Sequence, residues 1–312
     1  MEKALIVKST GSWYKVRRKD GSTVNCKLKG NLRTKFIKST NPVCVGDWVE
    51  FYINSSDGVG QITNIDDRKN YLVRRSINLS KNYQVIAANI DFAFLIVTID
   101  FPKTTTIFID RFLATAEAYM VSVNIVFNKI DLYNEKMMSK LTELKNIYEK
   151  IGYNCFQISA KENINIDSLK EKMQNKVNVF VGNSGVGKST ILNSIDESLN
   201  LKTGDISDYH KKGKHTTTFS EMFELSEGGF IVDTPGIKGF GVFDMQKEEL
   251  FHFFPEIFEL SKNCRYNNCT HIHEPQCAVK VGLKEKEISN SRYDSYLSLM
   301  NDNYDKYRIN PL

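Results

Sequence analysis

Residues 182–189 read Gly-Asn-Ser-Gly-Val-Gly-Lys-Ser, the spacing of a phosphate-binding loop. An apolar run before it predicts a strand, and the residues after it predict a helix. In this setting the backbone N–H groups of the loop point at a phosphate, Lys188 neutralises the β and γ oxygens, and the hydroxyl of Ser189 ligates Mg²⁺. The residues expected to bind the nucleotide here are Gly182, Asn183, Ser184, Gly185, Val186, Gly187, Lys188, Ser189 and Thr190.

Two further loops predict which base is bound. The carboxylate of Asp131 can accept both N–H groups of the guanine edge, an arrangement that adenine cannot satisfy. Ser159-Ala160-Lys161 is typical of a loop that places a backbone N–H on the guanine oxygen. Both segments follow predicted strands, where open α/β sheets bind ligands. The expected guanine-binding residues are therefore Asn128, Lys129, Asp131, Ser159, Ala160 and Lys161.

Two segments have the residues of nucleotide-sensing switches. In residues 233–236, Asp-Thr-Pro-Gly, Asp233 is expected to hold Mg²⁺ through a water, and the N–H of Gly236 to sense the γ-phosphate. Residues 213–218 read Gly-Lys-His-Thr-Thr-Thr, and one of these threonines is expected to close over Mg²⁺. Spacing alone does not choose among them, although Thr217 is favoured.

The motifs do not include the glutamine that directs the attacking water in many GTPases. Many GTPases use a Gln directly after the Asp-x-x-Gly motif, but Ile237 occupies that place here and cannot hydrogen-bond to water. His215 is the candidate catalytic residue. The alternative is that His215 is only a solvated loop residue and that another residue of the chain or a partner supplies the catalytic group.

Cys264, Cys269, His271 and Cys277 supply three thiolates and an imidazole within fourteen residues. This set predicts one closed, tetrahedral, structural Zn²⁺ site. His273 is a competing fourth ligand, and free buried cysteines are the alternative to a metal. The remaining cysteines, Cys26, Cys44 and Cys155, are predicted to be small buried apolar residues.

The elements that position these motifs divide into three predicted domains. Residues 1–70 contain short strands separated by turns, typical of an OB-fold β-barrel, with Trp48 in its core and Trp13 either in the core or stacked on bases. Residues 71–240 alternate strands and helices, which predicts an α/β layer with a mainly parallel sheet. Residues 241–312 are predicted to be a helical zinc-binding domain. Because the guanine motifs precede the phosphate loop, the P-loop GTPase domain is circularly permuted.

Charge separates the first domain from the rest. Residues 1–70 hold 13 Lys and Arg against 7 Asp and Glu, whereas the remaining residues hold 29 against 30. This balance favours a polyanionic partner, with a solvated Lys-rich face as the alternative. No apolar run approaches the length of a bilayer span, and the N-terminus has no signal-peptide pattern. We therefore expect a cytoplasmic protein with no membrane partner, and nothing demands a dimer.

Together these residues resemble the RsgA/YjeQ family of circularly permuted GTPases of small ribosomal subunit biogenesis. The resemblance rests on the basic barrel, the motif order, residues 85–89 (Val-Ile-Ala-Ala-Asn), residues 213–218 and the Cys-x4-Cys-x-His-x5-Cys spacing. It implies that the barrel binds 16S-type rRNA, that the small subunit stimulates GTP hydrolysis, and that His215 is catalytic. It also implies a zinc domain that helps docking.

Two alternatives remain open at this point. Another permuted GTPase family acting on the large subunit is one, although the barrel and the cysteine cluster argue against it. The other is a nucleotide-regulated RNA-binding module whose hydrolysis is incidental. RNA affinity that did not depend on the bound nucleotide would favour this second reading.

Overall fold

The computed structural model describes residues 1–30, 42–55, 58–75, 83–201, 220–233 and 246–301. Five strands form the N-terminal barrel in the order β1-β2-β3-β5-β4 and close through a β1–β4 pairing. Only β3 and β5 run parallel. The barrel is OB-like, as predicted. Its strands are β1 (Glu2–Ser9), β2 (Tyr14–Arg17), β3 (Thr23–Leu28), β4 (Trp48–Ile53) and β5 (Gly60–Ile65).

The barrel core differs from the sequence prediction at its aromatic residues. Trp48 was predicted to be a core residue, but it is 37% exposed. The reason is the period of two along a strand, which turns Val49 and Phe51 of β4 inward and Trp48 outward. Trp13 is also exposed, and the ammonium of Lys27 lies 4.2 Å from its ring centroid.

Six strands form the sheet of the central region in the order β10-β9-β8-β11-β13-β12. The first five are parallel, and β12 pairs antiparallel with β13. Strands β8, β9 and β11 are almost wholly buried, as expected of a sheet covered on both faces. The strands are β8 (Phe92–Val97), β9 (Val123–Phe127), β10 (Asn154–Gln157), β11 (Val177–Val181), β12 (Glu221–Glu224) and β13 (Phe230–Asp233).

Helices alternate with these strands. The long helix α2 begins where the Asn134 side chain accepts a hydrogen bond from the N–H of Met137, and it ends at Gly152, which has a φ of 108°. This helix is one of those expected from the predicted alternation of strands and helices over residues 71–240. The helices of the region are α1 (Thr106–Ala118), α2 (Glu135–Ile151), α3 (Ile166–Met173) and α4 (Lys188–Ile195), with a short 3₁₀ turn at Ile130–Leu132.

A hairpin and the sheet itself join the barrel to the central region. The hairpin of β6 (Tyr71–Arg75) and β7 (Tyr83–Ala88) follows the barrel in the chain, and Val45 of the barrel bridges to Ala87. Strand β1 also pairs with β12, so the barrel and the central sheet share one continuous set of strands. The buried core is likewise continuous from the barrel to β8 and β9.

The C-terminal region is helical and packs against α1. It contains a 3₁₀ segment (Lys247–Phe253) followed by α5 (Pro255–Ser261), α6 (Ala278–Lys284) and α7 (Asn290–Asn301). Its core includes Phe254, Ile257 and Tyr296 and reaches Ala114 of α1. Among the described residues, no helix has both the length and the apolar character needed to cross a bilayer.

Candidate nucleotide and metal sites

Three predicted motifs lie at the carboxyl edge of the parallel strands. The phosphate loop follows β11, Asn128 follows β9, and Ser159 lies shortly after β10. Backbone hydrogen bonds join the loops: the N–H of Asn128 donates to Val97 at 2.9 Å, and the N–H of Ile130 donates to Ile158 at 3.3 Å. The fold therefore brings residues far apart in the sequence to one crevice, where ligands bind in open α/β sheets.

The phosphate loop depends on two glycines. Gly187 has a φ of 99°, and a Cβ there would lie 2.4 Å from Nδ2 of Asn128. At Gly182 a Cβ would lie 2.5 Å from the carbonyl oxygen of Ile96. Both positions need a residue without a side chain, because the loop folds tightly against β8 and the Asn128 loop.

Lys188 and Ser189 open helix α4 directly behind the loop. The ammonium of Lys188 donates to the carbonyl oxygens of Gly182 and Asn183 at 2.8 and 2.7 Å. The hydroxyl-bearing Ser189 is 7% exposed in the first turn of the helix. A cation and a hydroxyl beside the N–H groups of a helix N-terminus suit a magnesium-bound phosphate chain.

Asn128 connects the phosphate loop with the Ser-Ala-Lys loop. Its Nδ2 donates to the carbonyl oxygen of Val186 at 2.9 Å, and its Oδ1 accepts from the N–H of Ala160 at 3.2 Å. The side chain is almost fully buried. Asn128 therefore acts here as a structural tie between two loops of the site.

Lys129 ties the same region together from the solvent side. It has a φ of 67°, and its ammonium donates to the carbonyl oxygens of Gly185, at 2.7 Å, and of Phe101. Partial burial lowers the pKa of Lys129. The Lys129 side chain consequently connects the guanine motif, to which it belongs, with the phosphate loop.

Asp131, predicted to bind the base, lies on the 3₁₀ turn after β9 and is exposed, so its carboxylate is accessible to a ligand. Its turn is held by Tyr133, whose hydroxyl donates to the carbonyl oxygen of Asn128 at 2.7 Å and accepts from the N–H of Ile99 at 2.8 Å. Burial raises the pKa of Tyr133 to about 12, so it remains a donor. The sequence analysis did not single out Tyr133.

The Ser-Ala-Lys loop is ordered by its own contacts. The hydroxyl of Ser159 accepts from the N–H of Glu162 at 3.1 Å, and the carbonyl oxygen of Ala160 accepts from the hydroxyl of Ser194 at 2.9 Å. Lys161 is exposed, with its ammonium 3.5 Å from Glu162. The loop is thus anchored to α4, the helix that follows the phosphate loop.

Part of the predicted machinery lies outside the described residues. His215, Thr217, Gly236 and Ile237 belong to this part of the chain. The backbone of Asp233 ends β13, next to β11 in the sheet, but its side chain is likewise outside the description. The roles of these residues remain predictions.

The four predicted metal ligands do come together. The ligand atoms of Cys264, Cys269, His271 and Cys277 all lie within 4.8 Å of one another. Nδ1 of His271 is 3.6 Å from Sγ of Cys264 and 3.5 Å from Sγ of Cys277, and those two sulfurs are 3.9 Å apart. A tetrahedral Zn²⁺ site requires S···S separations of about 3.8 Å and S···N separations of about 3.5 Å. The donor set therefore fits zinc.

The structure also shows which of the two histidines belongs to the cluster. His271 is 1% exposed, whereas His273 is exposed and outside the cluster. Burial lowers the pKa of His271, which favours the neutral imidazole that a metal binds. Burial raises the pKa of Cys269 to about 12, and a bound dication would offset this cost by stabilising the thiolate.

The other cysteines differ somewhat from the prediction. Cys26 and Cys44 are buried, whereas Cys155 is only partly buried. The thiol of Cys44 is not purely apolar in its contacts, since it donates to the carboxylate of Asp47 at 3.5 Å, and the backbone N–H of Cys44 donates to the same carboxylate at 2.8 Å. Arg68 pairs with the same carboxylate at 2.7 Å. The Asp47–Arg68 pair therefore joins the residue before β4 to the segment that follows β5. No motif in the sequence indicates this pair.

A second buried ionic group also escaped the sequence analysis. Arg292 of α7 donates to Asp110 of α1 at 2.9 Å and to both oxygens of Glu256 at 2.7 and 3.0 Å, and Tyr148 of α2 donates to Asp110 at 2.9 Å. Burial raises the pKa of Asp110 even beside Arg292. No local pattern could reveal this group, because its partners are separated by up to 182 residues.

Comparisons with known proteins agree with this architecture. The family model described as the RsgA GTPase matches residues 65–243, and the model described as the RsgA N-terminal domain matches residues 3–62. The small ribosomal subunit biogenesis GTPase RsgA of Phocaeicola vulgatus is 56% identical over 307 residues, covering 98% of this chain and 99% of that protein. A protein of the same name from Bacteroides fragilis strain YCH46 is 54% identical over 307 residues, with the same coverage of both chains.

Solved structures give the same result. The crystal structure of YjeQ from Thermotoga maritima has a TM-score of 0.79 and 34% identity, over 96% of this chain and 97% of that one. YloQ, a circularly permuted GTPase, has a TM-score of 0.74 and 28% identity, over 100% and 97%. With more than half of its residues shared with full-length relatives, the chain belongs to the RsgA family of circularly permuted GTPases and is a GTP hydrolase.

Proposed function

We propose that this GTPase acts in late assembly of the small ribosomal subunit, in the cytoplasm and as a monomer. The barrel binds 16S-type rRNA, the subunit stimulates GTP hydrolysis, and hydrolysis drives release. The observation that carries this proposal is the identity of 56%, over nearly the whole chain, with a relative named for small-subunit biogenesis. The positive balance of residues 1–70 supports an RNA partner for the barrel.

The chemistry assigns a role to each motif. Lys188 neutralises phosphate oxygens, Asp131 and a backbone N–H of the Ser-Ala-Lys loop select guanine, and Ser189 with Thr217 and Asp233 would hold the Mg²⁺ that screens the developing charge. His215 orients the attacking water, because Ile237 cannot. The cysteine cluster holds one structural Zn²⁺ that fixes the C-terminal helices.

The decisive experiment is GTP turnover with and without purified small subunits. We expect strong stimulation by small subunits and none by large subunits. Lys188→Ala should abolish turnover at both conditions, whereas Lys136→Ala, an exposed change on α2, should leave it intact. Turnover that did not respond to small subunits would contradict the proposal.

His215→Ala tests the catalytic assignment separately. We expect turnover to fall by about 10²-fold or more, the usual contribution of a group that acts on the proton or water, with GTP affinity near wild type. Turnover and the affinity for a non-hydrolysable GTP analogue should be measured on the same preparation. Unchanged turnover would assign the role to another residue or to the subunit.

A further inference from the structure

The barrel is bound directly to the strand that follows one of the two predicted switches. Lys8 of β1 is the register partner of Glu221 of β12, and the Lys8 ammonium lies 2.8 Å from the Glu221 carboxylate. The N–H of Ser9 donates to the carbonyl oxygen of Ser220 at 3.3 Å. We call these contacts, with the ion pair described next, the seam.

Arg17 of β2 forms the second ion pair of the seam. Its Nε and Nη2 donate to the two oxygens of Glu224 at 3.1 and 2.5 Å, a bidentate geometry. The guanidinium also lies 5.4 Å from the ring centroid of Phe230 in β13. The barrel therefore contacts both strands of the β12–β13 pair.

These two strands carry the predicted switches. Glu221 is the register partner of Asp233, so Lys8, Glu221 and Asp233 lie side by side on three neighbouring strands. In the sequence, residues 213–218 end two residues before β12, and residues 233–236 begin at the end of β13. A displacement of β12 at the seam would reach both segments within a few residues.

The seam is suited to reversible opening. Its side chains are partly exposed, at 40% for Lys8, 35% for Glu221, 26% for Arg17 and 51% for Glu224. Exposed ion pairs are weak and are screened by ions, so a polyanion competes well for their cations. Lys8 and Arg17 belong to the positively charged barrel, where a phosphate backbone would bind.

We propose that Lys8 and Arg17 are positioning residues that restrain β12 at rest, and that a polyanion bound to the barrel competes for them and releases β12 for faster hydrolysis. This inference rests on the proposed RNA-binding role of the barrel for its second half. The restraint of β12 by Lys8 and Arg17 concerns this chain alone, so it can be measured without a partner.

The test uses a charge swap in the full-length protein. Arg17→Glu and Glu224→Arg each break the pair, and the double variant restores it with the charges exchanged. Arg18→Glu is the matched control. It makes the same charge change on the neighbouring residue, but Arg18 pairs with Glu2 of the barrel's own strand β1, at 2.8 Å, and not with β12. The readouts are kcat and KM for GTP alone, then the stimulation factor with purified small subunits.

We expect each single variant to raise basal kcat about two- to fivefold, the scale of one exposed ion pair, with KM little changed. The stimulation factor should fall correspondingly. The double variant should return basal kcat towards wild type, and Arg18→Glu should leave it unchanged. Should Arg17→Glu not fold, Glu224→Gln gives the same prediction, with hydrogen exchange of β12 as the structural readout.

The outcomes separate the two proposals. Unchanged or lowered basal kcat in the single variants, or no rescue in the double variant, would overturn the restraint at the seam. A wild-type protein that small subunits fail to stimulate would contradict the proposed function, but would leave the basal measurement interpretable.

Discussion

At the scale of single residues, the nucleotide crevice depends on where side chains are absent. Gly187→Ala places a Cβ 2.4 Å from Nδ2 of Asn128, and Asn128 cannot move away because it is buried and holds two loops. We expect GDP affinity to fall at least about tenfold, equal to about 1.4 kcal/mol. Titration with a fluorescent GDP analogue measures the change.

Gly152→Ala is the control for this prediction. Gly152 has a comparable φ of 108°, but a Cβ there meets nothing within 4 Å. The substitution should therefore cost about 1–2 kcal/mol of stability from the left-handed backbone, without an effect on GDP affinity. Equal affinities for the two variants would show that the Asn128 contact has no part in the site.

The proposed preference for guanine rests mainly on Asp131. Asp131→Asn replaces an acceptor with a donor, so the variant should prefer xanthine, which carries a carbonyl where guanine carries an amino group. GTP affinity should fall by about ten- to hundredfold, the effect of one or two unpaired polar groups. Competition between GTP and XTP checks this, with Asp167→Asn, an exposed change on α3, as control. GTP preference retained by the variant would remove Asp131 from the base site.

At the scale of elements, local signals in the sequence predicted much of the structure. The alternation of strands and helices over residues 71–240 could be predicted because capping and burial act within a few residues. Asn134 caps the start of α2 and Gly152 ends it, and β8, β9 and β11 are continuous apolar runs. Trp48 was misplaced because a strand's inward face depends on its register. The Arg292–Asp110 pair has no local signal at all, because its partners lie 182 positions apart in the sequence.

The four ligand residues Cys264, Cys269, His271 and Cys277 lie among the C-terminal helices. We expect one equivalent of zinc in the purified protein, lost in His271→Ala and retained in His273→Ala, since only His271 lies among the thiols. Loss of the ion should lower Tm, because metal binding supplies folding free energy to a small helical unit. Metal analysis and thermal unfolding of both variants check this. Zinc retained in His271→Ala would refute the assignment.

At the scale of the whole molecule, the seam at the barrel and the buried ionic group at the C-terminal region differ in their exposure to solvent. The seam to the barrel is made of partly exposed ion pairs, whereas the junction to the C-terminal region is buried around Arg292, which is 1% exposed. Burial acts against a charge, but Asp110 and Glu256 keep the pKa of Arg292 above its ordinary value. The ion pairs of the seam are thus suited to opening at β12, while the continuous core keeps the barrel attached to the central region. The contacts around Arg292 are suited to staying closed.

Arg292→Met tests the permanent junction, because it leaves Asp110 and Glu256 facing each other without a cation. Removing one partner of a buried ionic group costs about 3–5 kcal/mol, so amide exchange in α7 should accelerate strongly. Lys150→Met is the control at the same interface: its ammonium donates to the carbonyl oxygens of Lys286 and Glu287 at 3.3 and 3.2 Å but is exposed, and its loss should cost below about 1 kcal/mol. Asp110 is connected to the phosphate loop only indirectly, because its helix α1 follows the loop whose Phe101 carbonyl oxygen accepts a hydrogen bond from Lys129. Amide exchange in the phosphate loop should therefore change less than amide exchange in α7. Equal exchange in α7 for the two variants would mean that the buried charges do not hold the C-terminal helices in place.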